Sequence, residues 1–308
     1  MRTPREAPCL TVELASVRLK NPLMNAAGIL GLTAYSLKRL ADAGLGAVVT
    51  KSYGLKPRAG HANPTIVQVE GGLLNSMGLP NPGVEAAASE LKEAVAMTDT
   101  PIVASIFGFK PEDFEVVAKR LDSLKVAAFE VNVSCPHVKE VGVEIGQKKE
   151  ALAEVVKQVR RATKKPIIVK LSPNVAQITE MAKAAQDSGA EAVTAINTLK
   201  AMAIDIETGA PILAGVFGGL SGPAIKPIAV RCVYELFKEI QIPIIGCGGI
   251  SNWEDAVEFM MAGASFLQVG TAVMFKDLAV FGEILHGLRD YLKKKGLRSV
   301  EELVGRAH

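Results

Sequence analysis

The chain has 308 residues, 49% of them hydrophobic, enough for one large α/β barrel with insertions or for two small domains. Charged residues make up 22% and the formal net charge is +3, so there is no electrostatic basis for a nucleic-acid or anionic-membrane partner. No apolar run reaches about eighteen residues, no signal-peptide pattern opens the chain, and Cys9, Cys135, Cys232 and Cys247 are too dispersed for a zinc or iron–sulfur site. The expectation is a cytoplasmic protein without a metal of its own.

From residue 24 onward, short apolar runs alternate with amphipathic ones. Eight of them read as strands, over 24–28, 47–51, 102–108, 128–134, 167–172, 192–197, 244–249 and 266–271. Between strands five and six, Val175, Ile178, Met181, Ala182 and Ala185 fall on one helical face. A later helix opens with a Ser251-x-x-Glu254 capping box and turns Trp253, Ala256, Val257 and Met260 inward. The small-residue signatures Ala43-Gly-Leu-Gly-Ala47, Ser188-Gly-Ala190 and Ala262-Gly-Ala264 are helix stops, and Lys293-Lys294-Lys295 is a solvated helix end. Strand and helix recurring about eight times predict a (β/α)8 TIM barrel over roughly 22–290, within a single domain of 1–308 because no linker divides it. A doubly wound sheet is the alternative, but no Gly-x-Gly-x-x-Gly follows an early strand.

Three connections are long: 52–83, 136–147 and 198–221. Each follows a strand C-terminal end, the face where such barrels carry active sites, and long ordered loops are commonly functional. The first contains Gly72-Leu-Leu-Asn-Ser-Met-Gly-Leu79, and the third reads as a β-hairpin around Glu207-Thr-Gly-Ala210. Both could wall a pocket.

The strand ends carry polar residues. In Phe129-Glu-Val-Asn-Val-Ser-Cys-Pro-His137, Pro136 stops the ladder and Cys135 begins a loop, either as a small buried hydrophobe or as an activated thiol. Lys51, Asn132, Lys170, Asn197 and Thr198 end other strands or this one. A single strand-end lysine is accounted for by reaching to water; two lysines and two asparagines sharing a face with Cys135 point to a site. Gly246-Cys-Gly-Gly249 and Gly270-Thr271 end the last two strands, and Gly222 lies in a further glycine turn. Either these are tight turns, or their backbone amides hold a phosphate.

Asn132-Val-Ser-Cys-Pro136, Lys170-Leu-Ser-Pro-Asn174, Asn197-Thr-Leu199, Met202-Ala-Ile-Asp-Ile-Glu207, the stretch from Gly218 to Lys226 and Ile244-Ile-Gly-Cys-Gly-Gly-Ile250 together resemble the catalytic subunits of class 1B dihydroorotate dehydrogenases, from about Leu10 to about Leu285. The resemblance implies FMN-dependent oxidation of dihydroorotate to orotate in pyrimidine synthesis, without the membrane extension of class 2. It implies Cys135 as the base for the C5 proton, FMN as acceptor of the C6 hydride, and Lys170 beside the flavin N1 and O2 edge. For the cofactor it further implies Lys51, Ser52, Asn132, Ile196, Gly222, Gly248, Gly249, Gly270 and Thr271. For the substrate it implies Lys51, Asn75, Asn132, Asn197 and Thr198, with backbone amides from Asn75 through Ser76, Met77, Gly78 and Leu79 helping to hold the carboxylate. FAD and a [2Fe-2S] cluster are implied only on a partner subunit that passes electrons to NAD, around a homodimeric core in a heterotetramer.

Ala27, Ser105 and His137 depart from the common family residues serine, asparagine and asparagine. His137 reads either as a surface loop residue or as a second acid/base group; Cys232 and Cys247 are assigned to packing. Competing readings are a dihydropyrimidine dehydrogenase-like flavin barrel, a fumarate-dependent dihydroorotate dehydrogenase, a non-redox barrel acting on a phosphorylated sugar, and a non-catalytic docking subunit.

Overall fold

All eight predicted runs form strands in the computed structural model, which describes residues 7–133 and 145–308. They are β1 (Leu23–Asn25), β2 (Val48–Val49), β3 (Ile102–Ile106), β4 (Ala128–Asn132), β5 (Ile167–Leu171), β6 (Ala192–Ala195), β7 (Ile244–Cys247) and β8 (Phe266–Val269). Sequential neighbours pair in parallel, β1 also pairs with β8, and a bridge between Met24 and Ala47 joins β1 to the approach to β2. The sheet closes into a barrel.

The β1–β2 seam has that bridge in place of a ladder, and a side chain reinforces it. Asn25 is fully buried, donating from Nδ2 to the Val49 carbonyl and accepting at Oδ1 from the Val49 amide, both at 2.8 Å. Its amide stands in for the backbone pair a longer strand would supply.

The helices are α1 (Ala34–Asp42), α2 (Val84–Met97), α3 (Pro111–Asp122), α4 (Lys149–Ala162), α5 (Ile178–Asp187), α6 (Lys226–Glu239), α7 (Trp253–Met261), the short α8 (Ala272–Lys276) and α9 (Ala279–Lys295). In α5, Ile178, Met181, Ala182 and Ala185 are buried, as their spacing predicts, while Val175 precedes the helix. The predicted stop glycines Gly44, Gly189 and Gly263 take φ of +90°, +100° and +121°. The capping box of α7 differs from expectation: Asn252 is the cap and accepts from the Asp255 amide at 2.8 Å. Ser251 instead donates its backbone N–H to the Asp255 carboxylate, so the cap sits one residue later and the reciprocal box is not formed.

The long connections build a second layer over the strand C-terminal ends. The first forms a hairpin of Ile66–Val69 and Gly72–Asn75, and the third contributes Leu199–Ala201 and Gly218–Ser221. These join as one antiparallel sheet, with Asn75 paired to Gly219. The expected hairpin around Glu207 is present as Ile204–Asp205 against Ala210–Pro211. In the second connection, Ile145–Gln147 forms a 3-10 turn whose Gly146 amide donates to Val133 O; 136–144 lie outside the described residues.

Candidate active site

The parallel register decides which side chains share a level inside the barrel. Asn132 on β4 pairs with Lys170 on β5, Lys170 with Thr194 on β6, and Cys247 on β7 with Gln268 on β8. Above this level a cavity of about 300 Å³ opens at the strand C-terminal ends. Strand ends contribute Lys51, Ser52, Asn132, Lys170, Ile196, Asn197 and Thr198 to its wall. The loop leaving the mouth sheet contributes Asn75, Ser76, Met77, Gly78 and Leu79. Glycine turns supply Gly222, Gly248, Gly249, Gly270 and Thr271. Of the sequence-predicted site residues only Cys135 is not among them: it lies outside the described residues, as does His137.

Amides and hydroxyls form a chain along one wall. Asn197 Nδ2 donates to Asn132 Oδ1 at 3.4 Å, Asn132 Nδ2 to Ser52 Oγ at 3.3 Å, and Ser52 Oγ lies 2.8 Å from Ser105 Oγ. Ser105 is fully buried behind Ser52, and Ala27 lines the cavity itself. Asn75 Nδ2 donates to Gly219 O at 3.1 Å, tying the two long connections together.

The glycine turns leave room for a ligand's approach and for little else. Gly222, Gly248 and Gly249 have φ of +101°, +131° and +86°. A Cβ at each would come within 2.8 Å of Gly72 Cα, Ala229 Cβ and Gly222 O respectively. Thr271 Oγ1 lies 2.8 Å from Ser221 Oγ on the same wall, which makes a hydroxyl pair beside the backbone. Such a cradle suits a phosphate-sized anion met by backbone amides.

Two lysines set the electrostatics. Burial pushes the Lys51 ammonium below its ordinary value. Burial also works against the charge on Lys170, but Cys247 and the Glu130 carboxylate outweigh it, and this ammonium is held above its ordinary value. Lys170 Nζ donates to Gln268 Oε1 at 2.9 Å and lies 3.8 Å from Cys247 Sγ. Burial pushes the Cys247 thiol up. Cys247 is therefore buried, as its assignment to packing requires, yet it also lines the cavity and touches Lys170. Cys232 is simply buried in α6.

Sequence reasoning missed Gln268, Glu130, Arg58 and Ser221. Gln268 and Glu130 sit inside strands with no local signal, whereas Arg58 is a lone cation in a long loop. Arg58 lines the cavity, approaches Gly78 O at 3.5 Å and stands over the Phe109 ring at 5.0 Å. Among the described residues no group of three or more His, Cys, Asp and Glu could hold a metal. The site is organised for an anion at the glycine turns, an amide-rich ligand along the asparagines and negative charge beside Lys170.

A family model described as Dihydroorotate dehydrogenase matches residues 9–292. The chain is similar to proteins named dihydroorotate dehydrogenase B (NAD(+)), catalytic subunit. It is 51% identical over 298 residues to the one from Pyrococcus abyssi, covering 97% of this chain and 99% of the relative. It is 50% identical over 298 residues to that of Pyrococcus furiosus, covering 97% and 98%. For Methanocella arvoryzae the identity is 49% over 299 residues, covering 97% and 98%.

Proposed function

Since the chain belongs to the dihydroorotate dehydrogenase family, we propose that it oxidises dihydroorotate to orotate in pyrimidine synthesis, with FMN and substrate sharing the barrel-mouth cavity. The observation that carries this reading is the cavity itself: Lys51, Asn75, Asn132, Lys170 and Asn197 line it together with the glycine cradle.

Oxidising the C5–C6 bond requires a proton to leave C5 and a hydride to leave C6. FMN, when bound, supplies the hydride acceptor. Cys135, three residues beyond Asn132, takes the C5 proton. The cyclic imide of the substrate presents donors and acceptors, which the Asn75, Asn132 and Asn197 amides match, with Thr198 alongside. Its carboxylate is held by Lys51 and by backbone amides of Ser76, Met77, Gly78 and Leu79. Gly222, Gly248, Gly249, Gly270 and Thr271 receive the cofactor phosphate, Ile196 packs along the cofactor, and Ser52 contacts it. With FMN bound, Lys170 would provide positive charge at the flavin N1 and O2 edge, where reduction deposits electrons.

The relatives' names include "catalytic subunit" and "NAD(+)", which supports a second subunit. We assign to that partner the FAD and [2Fe-2S] groups, with a homodimer of this chain at the centre of a heterotetramer in the cytoplasm. No described helix is long and apolar enough to cross a membrane.

The test is anaerobic mixing of the purified protein with dihydroorotate. The protein should be yellow and should bleach on mixing, whereas dihydrouracil, which lacks the carboxylate, should leave the colour unchanged. A colourless protein, or one bleached by dihydrouracil and not by dihydroorotate, overturns the proposal.

A further inference from the structure

Behind Lys170 lies a buried chain of polar groups, Gln268, Glu130 and Thr194, to which the reaction described above assigns no part. Lys170 Nζ donates to Gln268 Oε1 at 2.9 Å, and Gln268 Nε2 donates to Glu130 Oε2 at 2.6 Å. Thr194 Oγ1 donates to the same oxygen at 3.1 Å. Glu130 and Thr194 are fully buried, and Gln268 is 1% exposed. Glu130 Oε1 is buried without a hydrogen-bond partner among the described residues.

A carboxylate in this position is costly, because one of its oxygens lacks the donors that compensate burial. The two donors do not require it: a neutral side-chain carbonyl would serve Gln268 and Thr194 equally well. What only a carboxylate adds is charge. The Gln268 amide is oriented to transmit that charge, with its oxygen toward the ammonium and its NH2 toward the carboxylate. Among the described residues a second titratable group against Lys170 is Cys247, whose thiol burial pushes up, and Lys51 lines the same cavity.

We propose that Glu130 is a positioning residue for the redox reaction: acting through Gln268, it is the buried countercharge that keeps Lys170 an ammonium beside the flavin, and so fixes how many protons accompany the two electrons. The inference rests on the proposed FMN site. With Lys170 already protonated, two-electron reduction takes up one proton, at N5, and leaves the N1 edge anionic against the ammonium: FMN + 2e⁻ + H⁺ → FMNH⁻. Without the countercharge, a buried Lys170 is neutral beside oxidised FMN. The anion formed on reduction then draws a second proton onto the lysine.

The experiment is a potentiometric titration, across neutral pH, of FMN-loaded wild type and of Glu130→Gln, Glu130→Asp, Gln268→Met and Lys170→Met. The wild type should follow one proton per two electrons. Glu130→Gln and Gln268→Met should lower the midpoint and double its slope against pH, whereas Glu130→Asp, which keeps the charge, should retain the one-proton slope. Loss of packing alone would not change the number of protons. A lowered midpoint in Lys170→Met, with a one-proton slope in Glu130→Gln, overturns this inference alone. An unchanged midpoint in Lys170→Met overturns the flavin-edge assignment of Lys170 as well. Should Glu130→Gln not fold, Gln268→Met decides, and a two-proton slope in the wild type itself overturns the inference.

Discussion

Asn132 and Cys135 stand three positions apart, and the proposed mechanism divides binding and proton transfer between them. Replacing Cys135 by alanine removes only the base, so FMN should remain bound while flavin reduction by dihydroorotate slows by about two to four orders of magnitude, the usual worth of a positioned general base. Single-turnover stopped-flow absorbance measures this, and near wild-type reduction in the alanine variant would remove Cys135 from the mechanism. A thiol ordinarily titrates near about 8.5, so the wild-type rate should rise with pH as the thiolate forms, and serine should do less harm than alanine at high pH. The cofactor cradle calls for a gentler probe. Gly249→Val places a β-branched side chain at φ +86° and against Gly222 O, so lost FMN there could be blamed on backbone strain. Gly270 carries no such φ, and an added Cβ meets Ala26 Cβ at 3.3 Å and Ile29 at 3.7 Å. Gly270→Ala should fold, with Ala26 giving way by a few tenths of an ångström, and retain less FMN after dialysis; full retention would mean the phosphate lies elsewhere. The cavity lysines and asparagines were legible because a polar residue after an apolar run stands out. Glu130 and Gln268 were not, since only the barrel's register tells which strand residues face one another across its interior.

At the level of elements, the strands were legible because β-branched runs buried on both faces have no other comfortable fate, and the helices because their apolar residues recur at helical spacing. The mouth sheet was not. Its central pairing joins Asn75 to Gly219 across 144 positions, and neither loop contains a local signal for the other. The α7 cap moved by a residue because Asp255 satisfies the Ser251 amide and also accepts from Lys226 Nζ at 2.7 Å. The seam is a third feature that pattern alone could not supply. Removing the Asn25 side chain strands the Val49 N–H and C=O in a dry interior, each at a cost of about 1–3 kcal/mol. Asn25→Ala should therefore lower the unfolding free energy by about 2–6 kcal/mol, measured as a lower urea midpoint with an unchanged m-value. A loss under about 1 kcal/mol would mean that the β1–β2 seam closes without this side chain.

For the molecule as a whole, the open question is where the electrons leave. In the proposed mechanism reduced FMN must be reoxidised, but the sequence has no dinucleotide fingerprint, and its four cysteines are too scattered for an iron–sulfur relay. On the proposed reading, the NAD(+) in the relatives' names is reduced on another chain. The prediction is that the isolated protein, given dihydroorotate, turns over rapidly with an artificial dye and negligibly with NAD or fumarate. Adding a flavin and iron–sulfur partner should restore NAD reduction, with the rate saturating at one partner per copy of this chain. Steady-state assays with the three acceptors separate the possibilities: brisk NAD reduction by the isolated chain would dispense with the partner, and brisk fumarate reduction would make this a self-sufficient enzyme that needs no relay. Dye turnover together with inactivity toward both natural acceptors leaves the partner as the route, because it demonstrates a reducible flavin whose electrons have no physiological exit through this chain alone.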